Sequence, residues 1–291
     1  MTTTAPRLLQ VRRSTRVTPR MVRVTLAGDE LAGFPGDGPD RRIKMFFPVE
    51  GQDRPAVPRA STAGPVWPAG EARPAIRTYT VRRFDAAAGE LDVDFVLHGA
   101  GPATEWARDA GPVWPAGEAR PAIRTYTVRR FDPAAGELDV DFVLHGTGPA
   151  AEWARDAAPG AWVGVSEPGG RWEPDPAAEV QVVIGDETAL PAVATVLDAL
   201  PPDVAVLGFV EVADAAEQQP LPRPVTWVHR GDAEPGAPLA AAVRAAVLPP
   251  GRARAWLSGE SACVKELREH LLKERGLDRR AVYATGYWRL R

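Results

Sequence analysis

The feature that most constrains this chain is a near-perfect internal repeat. Residues 64–110 recur as residues 111–157, with differences only at Ala86/Pro133, Ala100/Thr147 and Thr104/Ala151. Stacked repeat arrays need at least three units to bury a core, so a pair reads as a recent tandem duplication. Each copy holds two runs patterned as strands. In the second copy the first run is Arg124-Thr125-Tyr126-Thr127-Val128-Arg129, rich in β-formers. The second run, Asp139–Leu144, leads through His145-Gly146-Thr147-Gly148-Pro149-Ala150 into a short helix reaching Trp153. A closed barrel has one place for each strand, so two copies compete for the same places. Copy two runs directly into the next strand, around Trp162 to Val165, whereas copy one emerges from a long Pro- and Gly-rich loop. Insertions are tolerated best in such loops. The expectation is that copy two, with Arg124, Tyr126, Thr127 and His145, builds a site. Copy one, with Arg77, Tyr79, Thr80 and His98, is then a surface excursion, and the reverse assignment, with copy one building the site, is the alternative. Its Val93, Phe95, Val96 and Leu97 make it apolar enough to promote association.

The rest of the chain divides by period. Arg7 to Arg16, Met21 to Leu26 and Arg42 to Phe47 alternate or run apolar as antiparallel strands would. Beyond Glu167-Pro168-Gly169-Gly170 the pattern changes to short apolar runs alternating with helical segments. Strands are expected at Val180–Ile184, Val204–Val210, Val225–Val228 and Ala253–Leu257. Helices are expected near Thr188–Leu200, Leu239–Val247 and Ser261–Glu274, the last with Val264, Leu267 and Leu271 on one face. The fold class is thus a β-barrel plus α/β: an N-terminal antiparallel barrel in 1–175 and a parallel-sheet domain in 176–291. A chain of 291 residues with 45% hydrophobic content can support two cores. Its net charge of −3 argues against general nucleic-acid binding. The single Cys263 excludes an internal disulfide and a Cys-ligated iron–sulfur cluster within one chain, and four histidines, two of them repeat copies, give no dedicated metal site. No signal core or membrane-length apolar run is seen, so a cytoplasmic protein without membrane contact is expected.

Three motifs carry chemistry. An Arg, an aromatic and a hydroxyl in Arg124-Thr125-Tyr126-Thr127, with a helix start two elements later, suit a planar, phosphate-bearing cofactor: the ring stacks on Tyr and the phosphates meet Arg and free N–H groups. Gly146-Thr147-Gly148-Pro149-Ala150-Ala151 fits a loose dinucleotide fingerprint, with Glu167 at about the expected distance. A plain Rossmann unit, however, does not explain the antiparallel strands upstream. Gly185-Asp186-Glu187-Thr188-Ala189 lies at the carboxyl end of a strand, where open α/β sheets bind ligands. There Thr188 and the helix N–H groups suit phosphate or ribose, while Asp186 and Glu187 equally suit capping alone. Gly259-Glu260 follows another strand and forms a second lip.

Arg-x-Tyr-Thr, Asp-Phe-Val-Leu-His-Gly-x-Gly-Pro-Ala with Trp-Ala, Gly185-Asp186-Glu187-Thr188-Ala189-Leu190-Pro191-Ala192 and Gly286-Tyr287-Trp288-Arg289 together resemble the siderophore-interacting proteins, flavin-dependent ferric-siderophore reductases of the ferredoxin–NADP reductase-like superfamily. The resemblance covers nearly the whole chain. It implies an FAD-binding barrel and an NAD(P)H-binding sheet, with electrons passing from NAD(P)H through flavin to Fe(III) in a siderophore. It assigns Arg124 to flavin phosphate, Tyr126 to the isoalloxazine and Thr127 to its reactive edge. Asp141, Val143 and His145 line the pocket, and Gly146, Gly148, Pro149 and Ala150 hold the pyrophosphate. Gly185, Asp186, Glu187, Thr188, Ala189, Gly259 and Glu260 frame the nicotinamide nucleotide. Lys44, Arg171 and Lys265 form a basic cluster for the ferric chelate. No acid–base dyad or nucleophile is required. A flavin reductase with another acceptor and a non-catalytic siderophore-binding protein are the alternatives, and a monomer is expected unless copy one drives association.

Overall fold

The computed structural model describes residues 5–35, 38–48, 52–59, 66, 75–85, 89–96, 125–132, 137–143, 149–170 and 172–290. Strands β1 (Arg7–Thr18) and β2 (Met21–Ala27) form an antiparallel hairpin turned at Pro19-Arg20. Leu9, Val11, Val24 and Leu26 are buried from it, as alternation requires. β3 (Arg41–Phe47) buries Ile43, Met45, Phe46 and Phe47 and leaves Lys44 exposed. Then come β4 (Ala75–Asp85) and β5 (Gly89–Val96) from the first repeat copy, and β6 (Thr125–Asp132) and β7 (Glu137–Val143) from the second. Helix α1 (Pro149–Asp156) and β8 (Trp162–Val165) complete the first half. These strands close a barrel in the order β1-β2-β7-β5-β6-β4-β3-β8, with β8 returning to β1 through Arg7↔Val165 to Gln10↔Trp162.

The repeat behaves differently from the expected surface excursion. β4 of copy one lies along the whole of β3, from Arg41↔Val81 to Phe47↔Ala75, and β7 of copy two lies along β2, from Met21↔Val143 to Ala27↔Glu137. β5 and β6 fill the wall between them. Duplicate strands sit side by side in parallel, Thr78 against Thr125 in β4 and β6, and Glu90–Val96 against Glu137–Val143 in β5 and β7. The reason lies in connectivity. The copies have the same strand sequences, so pairing preference cannot separate them. The strand reached first from β3 takes the place beside β3, and the strand that leads into α1 takes the place beside β2. At the β7 end Glu137 is held by Arg12 and, at 2.7 Å, by Arg13. Burial alone would raise its carboxyl, but hydrogen bonds from Arg13 and Arg12 win and hold it below its ordinary value.

The second half is a parallel sheet ordered β11-β10-β9-β12-β13. Its elements are β9 (Val180–Asp186), α2 (Leu190–Ala199), β10 (Ala205–Val212), β11 (Thr226–His229), α3 (Ala237–Ala245), β12 (Ala253–Glu260), α4 (Ser261–Lys273) and β13 (Val282–Trp288). β9 is buried at every position, the mark of a central strand covered on both faces. α4 buries Val264, Leu267 and Leu271, the expected stripe. One apolar cluster joins Leu9 and Met45 of the barrel to Val193 and Trp256 of the sheet. Polar ties cross the same boundary: Tyr287 donates to Asp40 at 3.0 Å, Arg42 to the Tyr283 hydroxyl at 2.9 Å, and Thr18 to Glu217 at 2.5 Å. Among the described residues no helix is long and apolar enough to cross a membrane.

Candidate functional site

The sheet order turns around between β9 and β12: β9 continues through α2 to β10 on one side, β12 through α4 to β13 on the other. Ligands of open parallel sheets bind outside the carboxyl ends of the strands at such a switch point. The crevice there is lined by Asp186, Gly236, Ser258, Gly259, Glu260 and Cys263. Two glycines let its walls close in. A Cβ on Gly259, whose φ is +150°, would stand 2.6 Å from Asp186 Oδ2, and a Cβ on Gly185 would stand 2.9 Å from Ala189 Cβ.

Asp186 sits at the centre, with 3% of its surface exposed. Its carboxylate accepts hydrogen bonds from Thr188 N, Glu260 N and Trp288 Nε1, each at 2.8 Å. Burial nonetheless dominates and, with Glu187 beside it, pushes the carboxyl up to about 7. Glu260 caps α4, accepting from Ala262 N at 2.7 Å and Cys263 N at 2.8 Å, and its other oxygen accepts from Leu290 N. Glu187 forms a two-pronged pair with Arg230, at 2.7 and 3.0 Å, and Arg230 also reaches Glu211 at 3.1 Å. Glu211 is wholly buried and accepts from Gly236 N and Leu239 N at the start of α3. Ser258, 1% exposed, has no partner for its Oγ among the described residues. Burial, followed by the field of Asp186, pushes the Cys263 thiol up to about 12, which makes it a poor nucleophile.

The sequence-derived residues fall into three groups. Asp186, Gly259 and Glu260 line this crevice, with Gly185, Glu187, Thr188 and Ala189 flanking Asp186 along the chain, and Glu187 and Glu260 are engaged in an ion pair and a helix cap. Tyr126 and Thr127 lie on β6 and Asp141 and Val143 on β7, where Asp141 stands opposite Arg23 and Val143 opposite Met21. Pro149 opens α1, and Ala150 beside it is buried. Lys44 is exposed on β3 and Lys265 on α4. Arg124, His145, Gly146, Gly148 and Arg171 lie outside the described residues. Ser258 in the crevice lining, Trp288 as partner of Asp186 and Arg230 as partner of Glu187 were not singled out by sequence. Trp288 lay within a noted motif, Ser258 directly before Gly259-Glu260, and Arg230 in a segment with no distinguishing pattern. Among the described residues no group of His, Cys, Asp and Glu is arranged to hold a metal ion.

Comparison with known proteins follows the same division. A family model described as siderophore-interacting protein matches residues 178–291, and one described as siderophore-interacting FAD-binding domain matches twice, at 10–113 and 110–172. The double match reflects the repeat. An uncharacterised protein of Mycobacterium tuberculosis is 33% identical over 93% of this chain and 86% of its own length. The ferric vibriobactin reductase ViuB of Vibrio cholerae is 29% identical over 98% of this chain and 89% of its own. The crystal structure of a siderophore utilization protein from T. fusca superposes with a TM-score of 0.67 at 35% identity, covering 98% of this chain and 92% of that one.

Proposed function

The chain belongs to the siderophore-interacting protein family, and on that premise we propose that it is a flavoprotein that reduces ferric siderophores with electrons from NADH or NADPH. The observation that carries this reading is a barrel of the FAD-binding family joined to a parallel sheet whose switch-point crevice keeps a buried hydroxyl, Ser258 Oγ, without a partner. A buried polar group left unpaired costs about 1–3 kcal/mol, which a ligand able to pair with it recovers.

The residues present fit part of a nicotinamide nucleotide. The polar part of the crevice offers acceptors, Asp186 and Glu260, beside apolar Ile184, Leu257 and Val264. It therefore suits the carboxamide N–H and ribose hydroxyl donors better than the phosphates. The missing Cβ of Gly259 lets the Asp186 carboxylate lie directly against the backbone at the crevice. One copy of Arg-x-Tyr-Thr, the strand β7 with Asp141 and Val143, and the turn into α1 would hold FAD. FAD held there would supply hydride acceptance and one-electron transfer to ferric iron, chemistry that belongs to the cofactor. Lys44, Arg171 and Lys265 supply positive charge for an anionic chelate. Ferrous iron is held less tightly by hard oxygen ligands, so reduction releases it. No proton-transfer residue is needed.

The test is to titrate the purified protein with FAD, remove oxygen, and add NADH or NADPH. Flavin bands that form on binding and bleach on adding either nucleotide support the reading. A well-folded protein that binds no flavin, or a bound flavin that neither nucleotide reduces, contradicts it.

A further inference from the structure

We propose that the flavin site is split across the repeat: its Arg-x-Tyr-Thr is that of copy one, Arg77, Tyr79 and Thr80, while the strand and helix that complete it, β7 and α1, come from copy two. The inference rests on the flavoprotein reading above and changes which residues serve it.

The strand sequences themselves do not distinguish the copies, because residues 75–85 and 122–132 are identical. Place in the barrel does. β3 is fixed by β8 through Met45↔Val165 and Phe46↔Gly164, and the Phe47 ring rests against Trp153 of α1 with centroids 5.2 Å apart. The end of β3 and the helix of copy two are therefore neighbours. The strand bonded to that end of β3 is β4. Its Ala75 pairs with Phe47, Arg77 with Met45, Tyr79 with Ile43 and Thr80 with Arg42. Arg77 thus stands two residues from the partner of the side chain that touches α1.

β6 stands one strand further from β3, although it packs against β3, reaches β13 and pairs with β7 from Val128↔Val140 to Asp132↔Glu137. Among the described pairings it is not bonded to β3, and it meets β4 only at Thr78↔Thr125 and Tyr79↔Tyr126. Helix α2, which follows Gly185–Ala189, packs against β4 and, less extensively, against β6 and β5. β4 is therefore the strand bonded along the whole of β3, whose end meets α1, and the strand that α2 covers most. On the far side, β7 leads into α1 after five residues, so the turn and helix belong to copy two by connectivity.

The test compares matched substitutions in the two copies by FAD titration: Tyr79→Ala against Tyr126→Ala, and Thr80→Ala against Thr127→Ala. The threonine pair removes too little to unfold the barrel and covers failure of the tyrosine variants to fold. The expected result is that each copy-one substitution weakens FAD binding about tenfold more than its copy-two counterpart. Equal effects, or a larger effect in copy two, overturn the split site while leaving the flavoprotein reading intact. A wild-type chain that binds no flavin overturns both.

Discussion

At the scale of single residues, Asp186 controls the crevice. In the fold its carboxyl titrates at about 7, against 3.8 ordinarily, so the folded chain binds that proton more tightly than the unfolded chain does. A raised carboxyl contributes stability at low pH, and the contribution is lost as pH rises through about 7. Asp186→Asn has no proton to lose. The unfolding free energy of the wild type minus that of the variant is expected to fall between about pH 4 and about pH 8, by on the order of 3 kcal/mol. Urea unfolding at several pH values checks it, and a flat difference would remove burial as the dominant influence on Asp186. Gly259→Ala is expected to destabilise by about 1–3 kcal/mol, since its Cβ would meet Asp186 Oδ2 at 2.6 Å in a backbone conformation that disfavours side chains. A change below about 0.5 kcal/mol would mean that the crevice relaxes freely. Gly185-Asp186 and Gly259-Glu260 were legible in the sequence because glycine followed by an acid at a strand end is a local pattern. The donation from Trp288 to Asp186 was not legible, because it spans 102 residues and depends on β13 lying beside β12.

At the scale of elements, the group of Glu187, Arg230 and Glu211 holds the ends of β9, β10 and β11 together and fixes the start of α3 through Gly236 N and Leu239 N. Arg230→Ala would leave Glu211, which is wholly buried, without its cation. The expected loss is about 3–5 kcal/mol of stability, read as a lower urea midpoint with an unchanged slope. A loss below about 1 kcal/mol would show that the carboxylates find other partners or protonate. Periodicity placed the strands and helices of this sheet to within a few residues, because each buries a continuous apolar run or stripe. It set the start of α2 at Thr188, two residues before Leu190, because the Asp186 side chain holds Thr188 N in a turn ahead of the helix. It did not mark β13 as a strand: Val282–Trp288 contains Thr285-Gly286 at its centre and lacks a sustained apolar run.

For the whole molecule, the deciding fact is that neither copy of the repeat is surplus as a unit. The outer strands β4 and β7 take the places beside β3 and β2, and the added material is β5, β6 and the chain joining them. The sequence revealed the duplication completely but not this division, since identical strands carry no local information about which place each takes. Removing any 47-residue block within the repeat leaves a single-copy chain of 244 residues, with only the three differing positions depending on the cut. Such a chain is expected to form a shorter barrel wall, retain flavin binding and melt at a higher temperature than the full chain. A single-copy chain that fails to fold would show that β5 and β6 are integral to the barrel. Barrel and sheet share one core and the ties Tyr287–Asp40 and Arg42–Tyr283, which place the barrel wall and the switch-point crevice in a common framework. The most direct measurement of the proposed activity follows the flavin spectrum without oxygen, first reduced by NADH or NADPH and then mixed with a ferric siderophore and a ferrous-specific chelator. The expected result is return of the oxidised bands as Fe(II) appears, about two irons per flavin, because a hydride carries two electrons and each iron takes one. Reduced bands that persist, with no Fe(II) formed, would contradict a ferric-siderophore reductase.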